Sequence, residues 1–331
     1  MVIRIFKRNA PAIPIMILVM GMLLWADGFI FYKKAVPAIF DQGPFYNLIG
    51  GVNQIHPFFS RMLAFLLLVL QVFLLNNMVQ ANNLLGKPSW LPGFIYLLMM
   101  SSHPELLQLH PVLFANFFLM IALARTLVAY SEGAVMVEVF NVGFLVALAG
   151  LFYYPALLFF TWLILAMLVY FLMNIRGIAA ALMGFLSPFF FLFTYYYLTD
   201  QLRVRIDEMI NHFSPFQIFE HPLPVFSIVL AIALAAIALF AFLKVYLTYV
   251  NDKPVRLRKR FKVLGYFFLV SLTTFLVFNN NFEVHLAMVM IPLSVVFSLF
   301  LLELRKKWLA ELWFYGFLFL IIAGKVLYWG Y

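Results

Sequence analysis

Eight residues carry most of the chemistry this sequence can support: Asp27, Lys33, Lys34, Asp41, Arg203, Arg205, Glu283 and His285. Asp27 follows Trp25 in otherwise apolar sequence. Partial burial there raises a carboxyl pKa and makes a general base. Asp41 is a second carboxylate candidate in a more polar setting. Arg203, Arg205, Lys33 and Lys34 are the cations suited to a phosphate, and Arg grips phosphate in a bidentate fork. Intrahelical pairing competes with that use, because Arg203 and Asp207 are i,i+4 and Arg205 and Glu208 are i,i+3. Glu283 and His285 follow Asn279, Asn280 and Asn281, and Pro292 comes soon after. Such a group can orient a sugar or bend a helix toward a cavity. The carboxylates would suit a hard divalent cation. No pair has a ligand spacing such as H-E-x-x-H, so no cofactor is expected. The chain contains no Cys, which removes thiol nucleophiles, disulfides and Cys-ligated metals.

These residues must be positioned by a membrane domain. Of the 331 residues, 66% are hydrophobic and only 11% charged, with a mean hydropathy of +1.02. A soluble fold this apolar has too little polar sequence to cover its core. Disordered and collagen-like chains are excluded on the same ground. A spanning helix needs about 20 apolar residues. By that rule the spans fall at 11–31, 57–78, 90–102, 111–129, 177–198, 225–250, 263–278, 284–304 and 309–329, with two more within 139–173. One unbroken helix over 139–173 would be about 52 Å long. Tyr153, Tyr154 and Pro155 lie in its middle and mark a turn between two spans. The expected fold is therefore an all-α polytopic bundle of about 11 transmembrane helices, forming one integral membrane domain over 1–331.

Charge orients the bundle. With the N-terminus cytoplasmic, 16 of the 22 Lys and Arg fall on the inner side, as the positive-inside rule requires. The inner loop 251–262 holds the densest cluster: Lys253, Arg256, Arg258, Lys259, Arg260 and Lys262. The net charge of +9 is thus a mark of orientation beside anionic lipid rather than of nucleic-acid binding. The C-terminus is then outside. Two long outer segments result, 28–56 and 199–224, with short interfacial helices expected at 37–41 and 203–213. All six His, namely His56, His103, His110, His212, His221 and His285, fall at this outer face. Arg125, late in the fourth span, is placed to snorkel inward or to meet Glu138.

This arrangement resembles the GT-C superfamily of integral membrane glycosyltransferases, which use polyprenyl-phosphate-linked sugars. The resembling features are a cytoplasmic N-terminus, Asp27 at the outer end of the first span, a long first outer loop reaching His56, and many short spans after it, among them 143–150. The resemblance implies an acid of the first outer loop as the catalytic residue, which here is Asp27 or Asp41. It also implies a polyprenyl-phosphate carrier as the partner. The loop departs from that pattern in lacking an adjacent acidic pair, and the chain is short for the superfamily. The sequence also looks like a bacterial multi-pass membrane family of no assigned activity, through Leu91-Pro92-Gly93, Ser101-Ser102-His103-Pro104-Glu105 and Leu151-Phe152-Tyr153-Tyr154-Pro155.

Two functions of different class follow. The first is glycosyl transfer at the outer face of the bacterial inner membrane. Asp27 or Asp41 would be the base, Arg203 and Arg205 (with Lys33 and Lys34) would hold the lipid phosphate, and Glu283 and His285 would orient the sugar. The second is a non-enzymatic subunit of a cell-envelope assembly, in secretion or lipid transport, whose outer loops dock protein partners. A transporter is disfavoured, because no internal repeat and few mid-membrane charges are present.

Overall fold

The computed structural model describes residues 6, 12–30, 42–49, 56–129, 135–212, 243–245, 253–277, 282–304 and 306–329. Among them the secondary structure is helical, with one isolated antiparallel bridge, Gln42 to Tyr153. The α-helices are α1 (Ala12–Ile30), α2 (Pro44–Ile49), α3 (Pro57–Ala81), α4 (Leu91–Met100), α5 (Pro111–Ala129), α6 (Val135–Phe152), α7 (Phe159–Tyr170), α8 (Ile175–Leu198), α9 (Leu202–His212), α10 (Val255–Val277), α11 (Phe282–Glu303) and α12 (Lys307–Trp329). Five of these (α3, α5, α6, α8 and α11) are long and apolar enough to cross a membrane. The chain is an all-helical membrane protein on that ground. The expected span at 225–250 lies almost wholly outside the described residues, as does the expected interfacial helix at 37–41.

The long apolar stretch breaks where its aromatic-proline turn is. α6 ends at Phe152, a 3-10 turn runs over Tyr154–Leu158, and α7 follows. Pro155 removes a backbone donor that a continuous helix would need. After α7 the chain reverses through Phe171 in the left-handed region (φ 60°). Asn174 then caps α8 by accepting from the Gly177 N–H at 2.7 Å.

Packing is tightest where small residues let backbones touch. α6 lies most extensively against α8 and α5. A Cβ on Gly184 would sit 2.1 Å from the Phe140 carbonyl oxygen, and one on Gly143 would sit 2.5 Å from that of Ala181. Bulk at either position would separate the pair, the usual role of small residues between membrane helices. α4 differs from the rest. Its ten residues span about 15 Å, half a bilayer, and every one of them is buried. It lies against α3 and α11, so protein rather than lipid surrounds it.

Contacts between helix termini define two ends of the bundle. At one, which we call the Tyr153 end, the last turns of α1, α4 and α6 meet the first turns of α5 and α11. At the other, the Arg260 end, the Arg260 guanidinium donates to the carbonyls of Leu127 and Asn82. There too the Phe6 carbonyl accepts from the Ser89 hydroxyl and the Trp90 N–H, and Lys259 lies over the Phe171 ring.

Candidate functional site

The Tyr153 end gathers polar side chains from five separate stretches of chain. The Trp25 indole of α1 donates to the Ser101 hydroxyl at 3.1 Å. The Tyr46 hydroxyl of α2 donates to the Leu109 carbonyl at 2.8 Å. Gln42 bridges Tyr153, and the Gly43 N–H donates to the Phe152 carbonyl at 2.8 Å. A Cβ on Gly43 would lie 2.2 Å from the Leu151 carbonyl oxygen. Only glycine therefore admits this close approach of the 42–49 segment to the end of α6. Behind the bridge, the Tyr153 hydroxyl lies 2.5 Å from His285 Nδ1 and 3.0 Å from Nε2. Tyr153 and His285 are both fully buried.

The loop 101–110 closes this end and carries two further His. His110 is the residue before Pro111. Its Nδ1 accepts from the Leu113 N–H at 3.2 Å, capping the start of α5. His103 Nδ1 accepts from the Glu105 N–H at 3.4 Å. Burial disfavours the imidazolium at both. It pushes His103 down to about 4 and His110 down to about 3. Both are therefore neutral at pH 7.

The expected site residues distribute unevenly. Asp27 lies within α1, one turn before its end, and its neighbour Gly28 sits close to Leu107. Asp41, Lys33 and Lys34 lie outside the described residues, though Asp41 is the chain neighbour of the bridging Gln42. Glu283 lies in the first turn of α11, two residues before His285. Arg203 is exposed on α9. Arg205 pairs with Glu208 at 2.8 Å on the same helix, and that carboxylate raises its pKa. α9 is the amphipathic helix expected at 203–213. Its Leu202 and Met209 pack on the cluster containing Leu151 and Tyr196. The structure thus brings His285 and the Gln42 segment together at Tyr153, while Arg205 is engaged with its own helix. Among the described residues no three His, Cys, Asp or Glu converge as a metal site would require.

Three polar groups in mid-helix escaped the sequence analysis. Gln71, Tyr96 and Asn116 are all fully buried. Tyr96 donates to Gln71 Oε1 at 2.6 Å, and Gln71 Nε2 donates to the Leu113 carbonyl at 2.7 Å. Asn116 Nδ2 donates to the Ala287 carbonyl at 2.9 Å, while its Oδ1 has no hydrogen-bond partner. The Ala287 carbonyl is two residues beyond His285, so polar groups extend from the Tyr153 end into the bundle. Arg61, in the second turn of α3, is another buried polar group at that end. An amide inside a 20-residue apolar run is the local signal for Gln71 and Asn116.

A model of a family of unknown function, DUF6427, matches residues 45–328. The chain belongs to DUF6427. The match takes in the Tyr153 turn, the 101–110 loop and His285, and begins after Trp25, Gln42 and Gly43. No curated protein and no solved structure matches this DUF6427 chain.

Proposed function

We propose that this protein is a GT-C-like glycosyltransferase of the bacterial inner membrane. It takes a sugar from a polyprenyl-phosphate carrier at the outer face, which we assign to the Tyr153 end. The observation that carries this reading is the bridge of Gln42 to Tyr153 with His285 buried behind it. That contact fastens Gln42, of the first outer segment, beside the His285 end of α11. The charge distribution supports about 11 spans with the N-terminus inside, which puts this end outside. In the proposed reaction Asp41 or Asp27 takes the proton of an acceptor hydroxyl. The hydroxyl oxygen bonds to the anomeric carbon, and the bond from that carbon to the carrier phosphate breaks. Arg203 and Arg205 meet the departing phosphate, for which Arg205 must exchange its Glu208 partner. His285 and Tyr153 hold the acceptor side of the site in shape.

The test is glycan transfer in cells carrying Asp41→Asn or Asp27→Asn at normal protein levels. Loss of transfer in either variant supports the reading, and full transfer in both removes the base and the mechanism with it. A second reading, a non-enzymatic envelope subunit, is favoured by the self-pairing of Arg205 and the complete burial of His285. Its signature is a protein that co-purifies in fixed proportion with the chain in mild detergent.

A further inference from the structure

A groove of about 490 Å³ opens on the side of the bundle along α3, toward the Arg260 end. Three carboxamides line it: Asn76, Asn77 and Gln80. Phe73, Trp90 and Phe117 form aromatic walls, with the Phe73 and Trp90 rings edge to face at 5.6 Å. Asn76 is 1% exposed, and its Oδ1 has no hydrogen-bond partner. Among the described lining residues none is charged.

We infer that this groove binds the headgroup of a neutral glycolipid. A buried, unmatched amide oxygen is costly where no water competes. A ligand that donates a hydroxyl hydrogen satisfies it. A phosphate headgroup carries acceptors and a negative charge, and no described lining residue is a cation to meet it. Sugar hydroxyls both donate and accept, which three amides answer in kind. Sugar C–H faces stack on Trp90 and Phe73, as amphipathic ligands do on aromatic walls. Leu70 lines the same groove and is half exposed, so an acyl chain leaves along α3 into lipid. The site stands on its own geometry at the end opposite Tyr153, and it holds whether or not the transferase reading does.

The experiment uses the full chain purified in an amine-oxide detergent, which carries no sugar. Native mass spectrometry reads retention of monoglucosyl-diacylglycerol, diacylglycerol and phosphatidylglycerol with matched acyl chains. The expected result is retention of the glucolipid about tenfold above the other two, lost in Asn77→Leu and in Gln80→Leu. Asn77 is exposed, so that variant leaves the fold intact and a preserved thermal transition verifies it. Equal retention of diacylglycerol overturns the proposal, because the groove then reads only tails. Preferred retention of phosphatidylglycerol, unchanged retention in Asn77→Leu, or a second copy of the chain bound in place of lipid overturns it as well.

Discussion

At the Tyr153 end, buried polar side chains find partners across elements: Trp25 at the Ser101 hydroxyl, Tyr46 at the Leu109 carbonyl, Tyr153 at His285. Deeper in the bundle the polar groups are the amides of Gln71, Asn76 and Asn116 with the Tyr96 phenol. Asn116 and Asn76 each keep an amide oxygen without a partner. In the first region His103 and His110 titrate, and burial holds both neutral at pH 7. The second uses amides and a phenol, all neutral near pH 7, which a low-dielectric interior tolerates at lower cost than a charge. Proton concentration should therefore perturb the first region and leave the second alone. Removal of side chains should perturb both, in proportion to what each removal orphans.

Acid is the largest lever. His103 and His110 have folded pKa values of about 4 and 3, against about 6.5 when unfolded. The unfolded chain therefore binds protons below pH 6.5 that the folded chain refuses. The stability they contribute is complete above pH 6.5 and is lost as pH falls toward 4, on the order of 3 kcal/mol per group. Thermal unfolding of the solubilised protein between pH 7 and pH 4 checks this. His110→Asn retains an acceptor for the Leu113 N–H and removes one titration, so about half of the pH slope should vanish. A flat profile from pH 7 to pH 4 would abolish the contrast between the two regions.

His285→Ala comes next. It opens a cavity in a fully buried site and takes away the partner of the Tyr153 hydroxyl, so a cost of about 3 kcal/mol is expected. Tyr153→Phe removes only the hydroxyl and should cost about half as much. If Tyr153→Phe is silent in stability yet abolishes glycan transfer, the pair belongs to chemistry rather than to the fold.

How much was readable beforehand follows from what each residue must do locally. The turn at Tyr153-Tyr154-Pro155 was legible because a proline and the bilayer thickness together forbid a continuous helix. α9 was legible because its apolar positions recur at helical spacing. Asp27, Glu283 and His285 were legible as ionisable groups in apolar sequence. The Tyr153–His285 contact was not, since 132 residues separate the two and no local pattern encodes such a pairing. The 42–49 segment was missed for a similar reason: Pro44–Ile49 is one short helix whose place is set by Gly43 against α6. The ten-residue α4 was legible as a short apolar helix. That protein encloses it on all sides is a property of α3, α11 and α12.

Within the bundle, Gln71→Leu should cost about 2 kcal/mol, because it takes away the acceptor of the Tyr96 hydroxyl and a donor to the Leu113 carbonyl. Asn116→Leu removes a donor together with an oxygen that had no partner, so its net effect should fall within about 1 kcal/mol. Chemical unfolding of both variants, side by side, measures the difference. Equal losses would mean that the unmatched Asn116 oxygen is met by something in the membrane, and the two regions would then be alike.

The smallest effect belongs to Arg205→Ala. The Arg205–Glu208 pair lies on a partly exposed helix, and its side chains are 40% and 50% exposed. Pairs of this kind are worth at most about 1 kcal/mol, and salt screens them. The expected change in unfolding midpoint is therefore near the limit of measurement, whatever the pH. Activity is the more telling readout. If Arg205 only staples α9, Glu208→Gln and Arg205→Ala behave identically in cells. If Arg205 meets a departing phosphate, Glu208→Gln frees it and preserves transfer, while Arg205→Ala destroys it. A split between two substitutions of equal thermodynamic cost would locate function at this end of the bundle, where the stability measurements alone see only a weak ion pair.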